Sequence, residues 1–334
     1  MDYRAVVYEI EDKYLSPYAF KSANTKGRLY PTTPCMIRTE FQRDRDRIIH
    51  SKSFRRIKHK TQVFLAPEGD HYRTRLTHTL EVSQIARVIA RALRLNEDLT
   101  EAISLGHDLG HTPFGHADER ALNAKMMNEG GFDHALHSLR VVDVIEYDGR
   151  GMNLTYEVRD GIANHSGGGT PATLEGKVVQ LSDRIAYLNH DVDDAIRAGV
   201  ITVNDLPQSV IKTFGSTHGT RIDSMINEVI KNSYAKNEIT AGTTAKSVMD
   251  EFRAFMFERV YSGNLAKSEE PKVEKMIGFL FDYYLTHLDK LPQYIRDFDV
   301  SDKQKVCDYI ATMSDTYAVK VFDDIYVPKG WALL

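Results

Sequence analysis

Cysteine is nearly missing from this chain. Among its 334 residues only Cys35 and Cys307 occur, far apart in sequence. That excludes a disulfide-stapled scaffold and a cysteine-built metal site, and it fits a reducing compartment. An excess of one charge is missing too. Lys and Arg total 43 and Asp and Glu total 47, a net charge of -4. A protein held to nucleic acid mainly by its overall charge is more basic than this, so only a local basic patch stays open. No apolar run reaches the length of a membrane span. The opening MDYRAVVYEIEDKYLSPYAF carries charges throughout and has no apolar signal core. The expectation is a soluble cytoplasmic protein with no membrane partner. There is no internal repeat and no low-complexity tract. Residues 167–169, GGG, lack the Lys-Ser/Thr of a phosphate-binding P-loop and follow no clear strand, so they read as a loop. No Ser-His-Asp or Cys-His triad is legible.

What is present is an ordinary globular balance, 42% hydrophobic and 27% charged, enough for a substantial core. Strand signals are few and helical periodicity is frequent, so the class is mainly α. Residues 1–40 are rich in Pro, Ser, Thr, Gly and Asn from position 15 onward and read as an irregular arm. Apolar spacings of three and four predict helices over 76–95 (Val82, Ile85, Ile89, Leu93), 98–110, 132–147 and 174–198 (Val178, Leu181, Ile185, Leu188, Val192, Ala195). Beyond 200 they predict 220–232, 245–262, 270–288 and 302–317. KVFDDIYVP, near the end, fits strand or helix. Three regions are expected: an arm over 1–42, a core over 43–200, and a helical region over 201–334 packed on it.

Histidine marks the middle of the chain, with eleven of thirteen between positions 50 and 190. The densest stretch is SLGHDLGHTPFGHADE, 104–119. A divalent metal needs several ligands converging from different elements, and imidazole with carboxylate suits a range of such ions. His78 falls at the start of one predicted helix, His107 and Asp108 near the end of the next, and Asp183 inside the fourth. Neighbours on a helix point about 100° apart, so both members of an HD pair can reach one ion. A His2Asp2 set from three helices leaves coordination positions open, as catalysis requires. His111 follows His107 by one turn and faces the same way, for a phosphate contact or a hydrogen bond to a ligand. His116 and Glu119, three apart, share a side if helix resumes there. Asp183, Tyr187, Asp191 and Asp194 form a polar stripe beside the apolar one. Acids on one face repel unless a cation or donor satisfies them. The basic run 43–60 fits a surface helix with Arg-Asp pairs and, equally, a triphosphate-facing or regulatory nucleotide surface; single-stranded nucleic acid is the minor alternative.

The ordered series RLTHTLEVSQIARVIAR, GHDLGHTPFGHADERAL and SDRIAYLNHDVDDAIRAG resembles the HD-domain phosphohydrolases, in particular the bacterial dGTPase and dGTPase-like deoxynucleoside triphosphate triphosphohydrolases. FQRDRDRIIHSKSFRRIKHKTQVF, FDHALHSLRVVDVI, YEVRDGIANHSG and DYIATMSDTYAVKVFDDIYVPKGW extend the likeness over nearly the whole chain. The resemblance implies a mainly α-helical HD fold, with His78, His107, Asp108 and Asp183 as ligands of a divalent metal (Mn, Mg, Fe, Co, Ni or Zn). It also implies hydrolysis of a dNTP to deoxynucleoside and tripolyphosphate. It points to His116, Glu119 and His134 as catalytic, with base, acid and orienting roles undivided. It places Tyr187 against the sugar-phosphate, Asp191 and Gln62 at the sugar, and Arg75 and Arg184 on phosphates. Asp194 matches no role, and solvent is its expected surrounding. A dNTP activator and a homo-oligomer, with a hexamer favoured, belong to the same implication. The rival readings are another HD-type nucleotide hydrolase and a nucleotide-sensing or nucleic-acid-binding protein.

Overall fold

The computed structural model describes residues 2–63, 72–166, 168–261 and 269–330. The expected fold class holds. Among the described residues there is no strand, only the isolated bridges Arg28–Thr155 and Thr61–Thr74. In chain order the main helices are α1 (Tyr3–Tyr14), α2 (Glu40–Ile49), α3 (Lys52–Arg56), α4 (Arg75–Leu93), α5 (Glu97–Gly106), α6 (His116–Met126), α7 (His134–Arg140) and α8 (Tyr156–Ala163). They continue with α9 (Leu174–Arg197), α10 (Gln208–Phe214), α11 (His218–Ser233), α12 (Thr243–Met256), α13 (Glu270–Thr286), α14 (Asp302–Ala311) and α15 (Asp315–Tyr326). Phe64, Gly167 of the GGG loop and Ser262, all part of the sequence reading, lie outside the described residues.

Local chemistry sets the boundaries that matter for the site. α4 stops where Arg94 turns left-handed at φ 55°. Asn96 then caps α5, accepting from Leu99 N, with Glu97 and Asp98 in the first turn where the helix dipole favours acids. α5 ends at Gly106, short of the expected residue 110. The chain must then pass against the middle of α7, and a Cβ on Gly110 would lie 2.1 Å from Ser138 N. This tight passage presents His107, Asp108 and His111 in succession. α9 is capped by Thr173 and buries Val178, Ile185, Leu188, Val192 and Ala195 completely, as the stripe predicts.

Three expectations are corrected. The arm is not irregular throughout: Asp2 caps α1 by accepting from Arg4 N and Ala5 N. Buried Glu11 then accepts from Ser22 N at 2.6 Å and from Asn96 Nδ2 at 3.2 Å, which ties the arm to the cap of α5. The helix expected over 302–317 is two helices. Residues 312–314 break it, and Ser314 starts α15 by accepting from Tyr317 N. The region 132–147 begins regularly, capped by Asp133, but widens to a π-helix over Val141–Ile145. KVFDDIYVP continues α15 as helix to Tyr326.

Apolar packing forms two clusters. The larger joins α2, α4, α5 and α9 with residues beyond 200, including Val210, Met225, Phe252 and Val260. The smaller joins Ala117, Leu122 and Met126 of α6 to Ile277 and Phe281 of α13 and Val306 and Ile310 of α14. Part of the basic run is spent internally: Arg45 pairs with Asp98 and Glu101, and Arg47 donates to the carbonyls of Met152 and Asn153. No described helix is long and apolar enough to cross a membrane.

Candidate active site

α4, the turn after α5, the starts of α6 and α7, and the end of α8 bring a chain of imidazoles together. Ring centroids of His78 and His107 lie 5.7 Å apart, His107 and His165 4.9 Å, His165 and His134 5.3 Å, His134 and His111 4.8 Å, and His111 and His116 5.8 Å. At one end, His78 Nε2 sits 3.0 Å from Asp183 Oδ1. His107 Nε2 lies 3.8 Å from Asp108 Oδ1 and 4.0 Å from Asp183 Oδ1. His107 Nδ1 faces the Ser104 carbonyl at 2.7 Å, a contact that requires a proton on Nδ1. Nε2 is then a bare lone pair, and it is buried without a hydrogen-bond partner. A buried acceptor left empty costs about 1–3 kcal/mol, and a metal ion would satisfy it. The ligand atoms of His78, His107 and Asp108 lie within 4.8 Å of one another, as do those of His107, His165 and Asp183. This His/Asp cluster could therefore hold a metal ion.

Electrostatics fit a cation-binding cluster. Burial pushes the Asp108 carboxyl up, but Arg75, whose Nη1 lies 2.6 Å from Oδ2, and three histidines outweigh it and hold it well below the usual range. Asp183 is partly buried, which disfavours its charge, yet His78, His107 and His165 bring it below its ordinary value. Burial and its histidine neighbours push His165 down to about 4, so it is a neutral imidazole at neutral pH. Its Nδ1 faces the Ile162 carbonyl at 2.7 Å, the same arrangement as His107.

At the other end of the chain of rings Glu119 joins two histidines. Its Oε2 lies 3.3 Å from His116 Nδ1, and its Oε1 lies 2.9 Å from His134 Nδ1 and accepts from His134 N. Burial disfavours the Glu119 charge, but these bonds hold its carboxyl far below the ordinary value. Burial works against His134 as a cation, and Glu119 reverses that and raises its pKa. His134 Nε2 reaches Ser166 Oγ at 3.2 Å. His116 differs from the rest: its side chain is 60% exposed, so it stands at the mouth of the site.

These groups line a cavity of about 270 Å³. It brings together Gln62, Arg75, His78, Asp108, His111 and His116 with Glu119, His134, Asp183, Tyr187 and Asp191. His107 belongs to the candidate metal cluster without lining the cavity. Arg184 does not face this cavity; it bonds Asp250 and lines a neighbouring one of about 530 Å³. Asp194 is corrected: it is buried, and Arg73 Nη1 donates to it at 2.7 Å. His137 is buried away from this cavity, with Nδ1 on the Gly110 carbonyl and Nε2 3.6 Å from Asp308 Oδ1.

Several lining residues carry no signal in short motifs. Tyr261, in a π-helical turn after α12, donates to Asp191 Oδ2. Burial, eased by that bond, still pushes Asp191 up to about 6. Arg253 lines both cavities. Lys177 and Gln180 precede Arg184, Tyr187 and Asp191 at spacings of three and four, so extending the α9 stripe backward would have found them.

Comparison with known proteins adds a family. A deoxyguanosinetriphosphate triphosphohydrolase-like protein of Caldanaerobacter subterraneus subsp. tengcongensis is 56% identical over 99% of this chain and 98% of its own length. The chain belongs to the deoxyguanosinetriphosphate triphosphohydrolase-like family. Members of the same family from Desulfatibacillum aliphaticivorans and Clostridium tetani are 48% and 46% identical, covering 94% and 98% of this chain and 95% and 97% of theirs. The HD domain model matches residues 75–188 and the phosphohydrolase-associated domain model 239–324. The first span holds His78, His107, Asp108 and Asp183; the second holds Arg253 and Tyr261. A phosphohydrolase structure from Bacteroides thetaiotaomicron shares the fold, with a TM-score of 0.52 at 18% identity over 84% of this chain and 68% of that one. The chain is thus a hydrolase of the HD type.

Proposed function

We propose that the protein hydrolyses dNTPs, dGTP or several, to deoxynucleoside and tripolyphosphate. Water adds at the α-phosphorus, the bond from phosphorus to the 5′ oxygen breaks, and that oxygen takes a proton. The family name supports the substrate class. The observation that carries the reading is the shape of the site. The ligand-lined cavity shares Asp183, Tyr187 and Arg253 with the larger chamber, whose wall adds Lys177, Arg184 and Lys246. No ion pair involves Lys177 or Lys246 among the described residues. A chamber with unneutralised cations beside a metal-type cluster suits a polyphosphate chain, because cation contacts to phosphate oxygens are strong where water is scarce.

A divalent ion held by His78, His107, Asp108 and Asp183 would polarise a phosphoryl oxygen and make water a better nucleophile at neutral pH. The protein's own groups do the rest. His116, oriented by Glu119, stands at the mouth and delivers the proton that the 5′ oxygen needs, a step worth about 10²–10⁴-fold. His134, whose charged form Glu119 favours, and His111 lie next to His116 in the run of rings and face the phosphate beside it. Arg75, which lines the cavity, steadies Asp108 with one nitrogen and has its Nε buried and unpartnered. Gln62 Oε1 and Asp191 Oδ1 are buried acceptors without donors, and a 3′-hydroxyl would satisfy either. Tyr187 supplies the flat wall for the sugar.

Turnover of dGTP in ¹⁸O-water tests the position of attack. Label in tripolyphosphate is expected. Label in the deoxynucleoside, which means attack at carbon, or in a nucleotide product refutes the reading.

A further inference from the structure

The two loops that carry Gln62 and His116 are fastened to a point outside the site. Asp315, the first residue of α15, is buried, at 7% exposure. Its Oδ1 accepts from Phe114 N at 3.0 Å; its Oδ2 accepts from Thr61 N at 2.9 Å and from Thr61 Oγ1 at 2.5 Å. Phe114 is left-handed at φ 57°, and Gly115 follows at φ 61° to start α6 at His116. A left-handed bulky residue is strained and persists only where its surroundings over-determine it. The bond to Asp315 is such a restraint. Beside it, Lys60 donates to the carbonyls of His111 and Ala311, the latter at 2.8 Å, while its own carbonyl accepts from Arg75 N at 3.0 Å. The junction 311–315 thus grips both walls of the cavity, at Thr61 next to Gln62 and at Phe114 two residues before His116.

We propose that Asp315 is a positioning residue: through Phe114 it sets His116, and through Thr61 it sets Gln62. All three of its partners are donors, and both oxygens are needed to accept from them. An amide offers one acceptor and one donor, so Asp315→Asn must release one loop without changing the volume of the side chain. Lys60, buried between two carbonyls and Asp315, braces the same junction. The role links to the site those helices after residue 300 that contribute no lining group to the cavity and that the smaller apolar cluster holds in place.

The test combines kinetics with a readout independent of substrate. In protein labelled with ¹³C in its histidine rings, Asp315→Asn is expected to shift the His116 signal and leave those of His78 and His165 in place, with metal content unchanged. The kinetic arm rests on the dNTP reading: kcat should fall at least tenfold. In a His116→Ala background the same change should cost less than twofold, because Asp315 acts through His116. An unmoved His116 signal overturns the proposal even if the wild type hydrolyses no dNTP, a result that would refute the dNTP reading alone. A loss of kcat that multiplies fully with His116→Ala also overturns it. Should Asp315→Asn fail to fold, Thr61→Val removes only the hydroxyl bond. KM is then expected to rise about threefold or more with kcat within twofold, and unchanged KM would count against the proposal.

Discussion

Glu175 makes the protein's stability depend on pH in a predictable direction. It lies in the first turn of α9 and is fully buried. Its Oε1 accepts from Phe20 N at 2.9 Å and Asn96 N at 3.0 Å, joining the N-terminal segment to the cap of α5. Its Oε2 is buried with no partner. Burial pushes the carboxyl from 4.5 up to about 7. The folded state therefore holds this proton more tightly than the unfolded one. Below pH 4.5 both states are protonated and there is no penalty; the cost grows between 4.5 and 7 and is complete above it. At about 1.4 kcal/mol per pH unit, the interval amounts to roughly 3 kcal/mol. Glu175→Gln abolishes the charge, keeps one acceptor and, like the protonated acid, leaves a donor at the unpartnered position. The variant should match wild type to within about 1–2 kcal/mol at pH 5 and gain on it by roughly 2–3 kcal/mol by pH 8. Urea unfolding of both proteins from pH 5 to 8 measures the difference, and the other titrating groups cancel in it. A difference constant across that range would refute the reasoning.

Other changes probe the site and the core. His116→Ala should lower dNTP turnover by about 10²–10⁴-fold while dNTP still binds by calorimetry; near-normal turnover would remove His116 from the mechanism. His107→Ala should lose bound metal after dialysis, read by atomic emission, because the bare Nε2 is gone; full retention would contradict its place among the ligands. Asp191→Asn or Gln62→Ala should raise the KM for dNTP without loss of metal, and loss of metal in either would show the sugar assignment to be wrong. Phe252→Ala, at a fully buried position of the larger cluster, should cost about 3–5 kcal/mol in urea unfolding; a cost below 1 kcal/mol would mean the cavity collapses.

The parts of the fold that periodicity reveals are those with one apolar face. α4 and α9 are legible because Val82, Ile85, Ile89 and Val178, Ile185, Leu188 each repeat at helical spacing and are buried as such. The end of α5 is not legible, because the chain turns where Gly110 meets Ser138, a contact 28 positions away. The α14–α15 break is hidden for a similar reason: Ala311 and Asp315 answer to Lys60, Thr61 and Phe114 across the molecule. Within the candidate site, the HD pair and its companion histidines stand out by residue type. His165 does not, because a lone histidine before a glycine-rich loop reads as surface until the fold sets it 4.9 Å from His107. Asp194 failed in the opposite sense, since its partner Arg73 lies outside the helical stripe.

Product identification tests the central claim most directly. The purified protein would be incubated with each of the four dNTPs, singly and mixed, with Mn or Mg, and the products separated. The account predicts deoxynucleoside and tripolyphosphate, whichever base is preferred. Deoxynucleoside mono- or diphosphate, or no turnover in any mixture with metal shown to be bound, would contradict it.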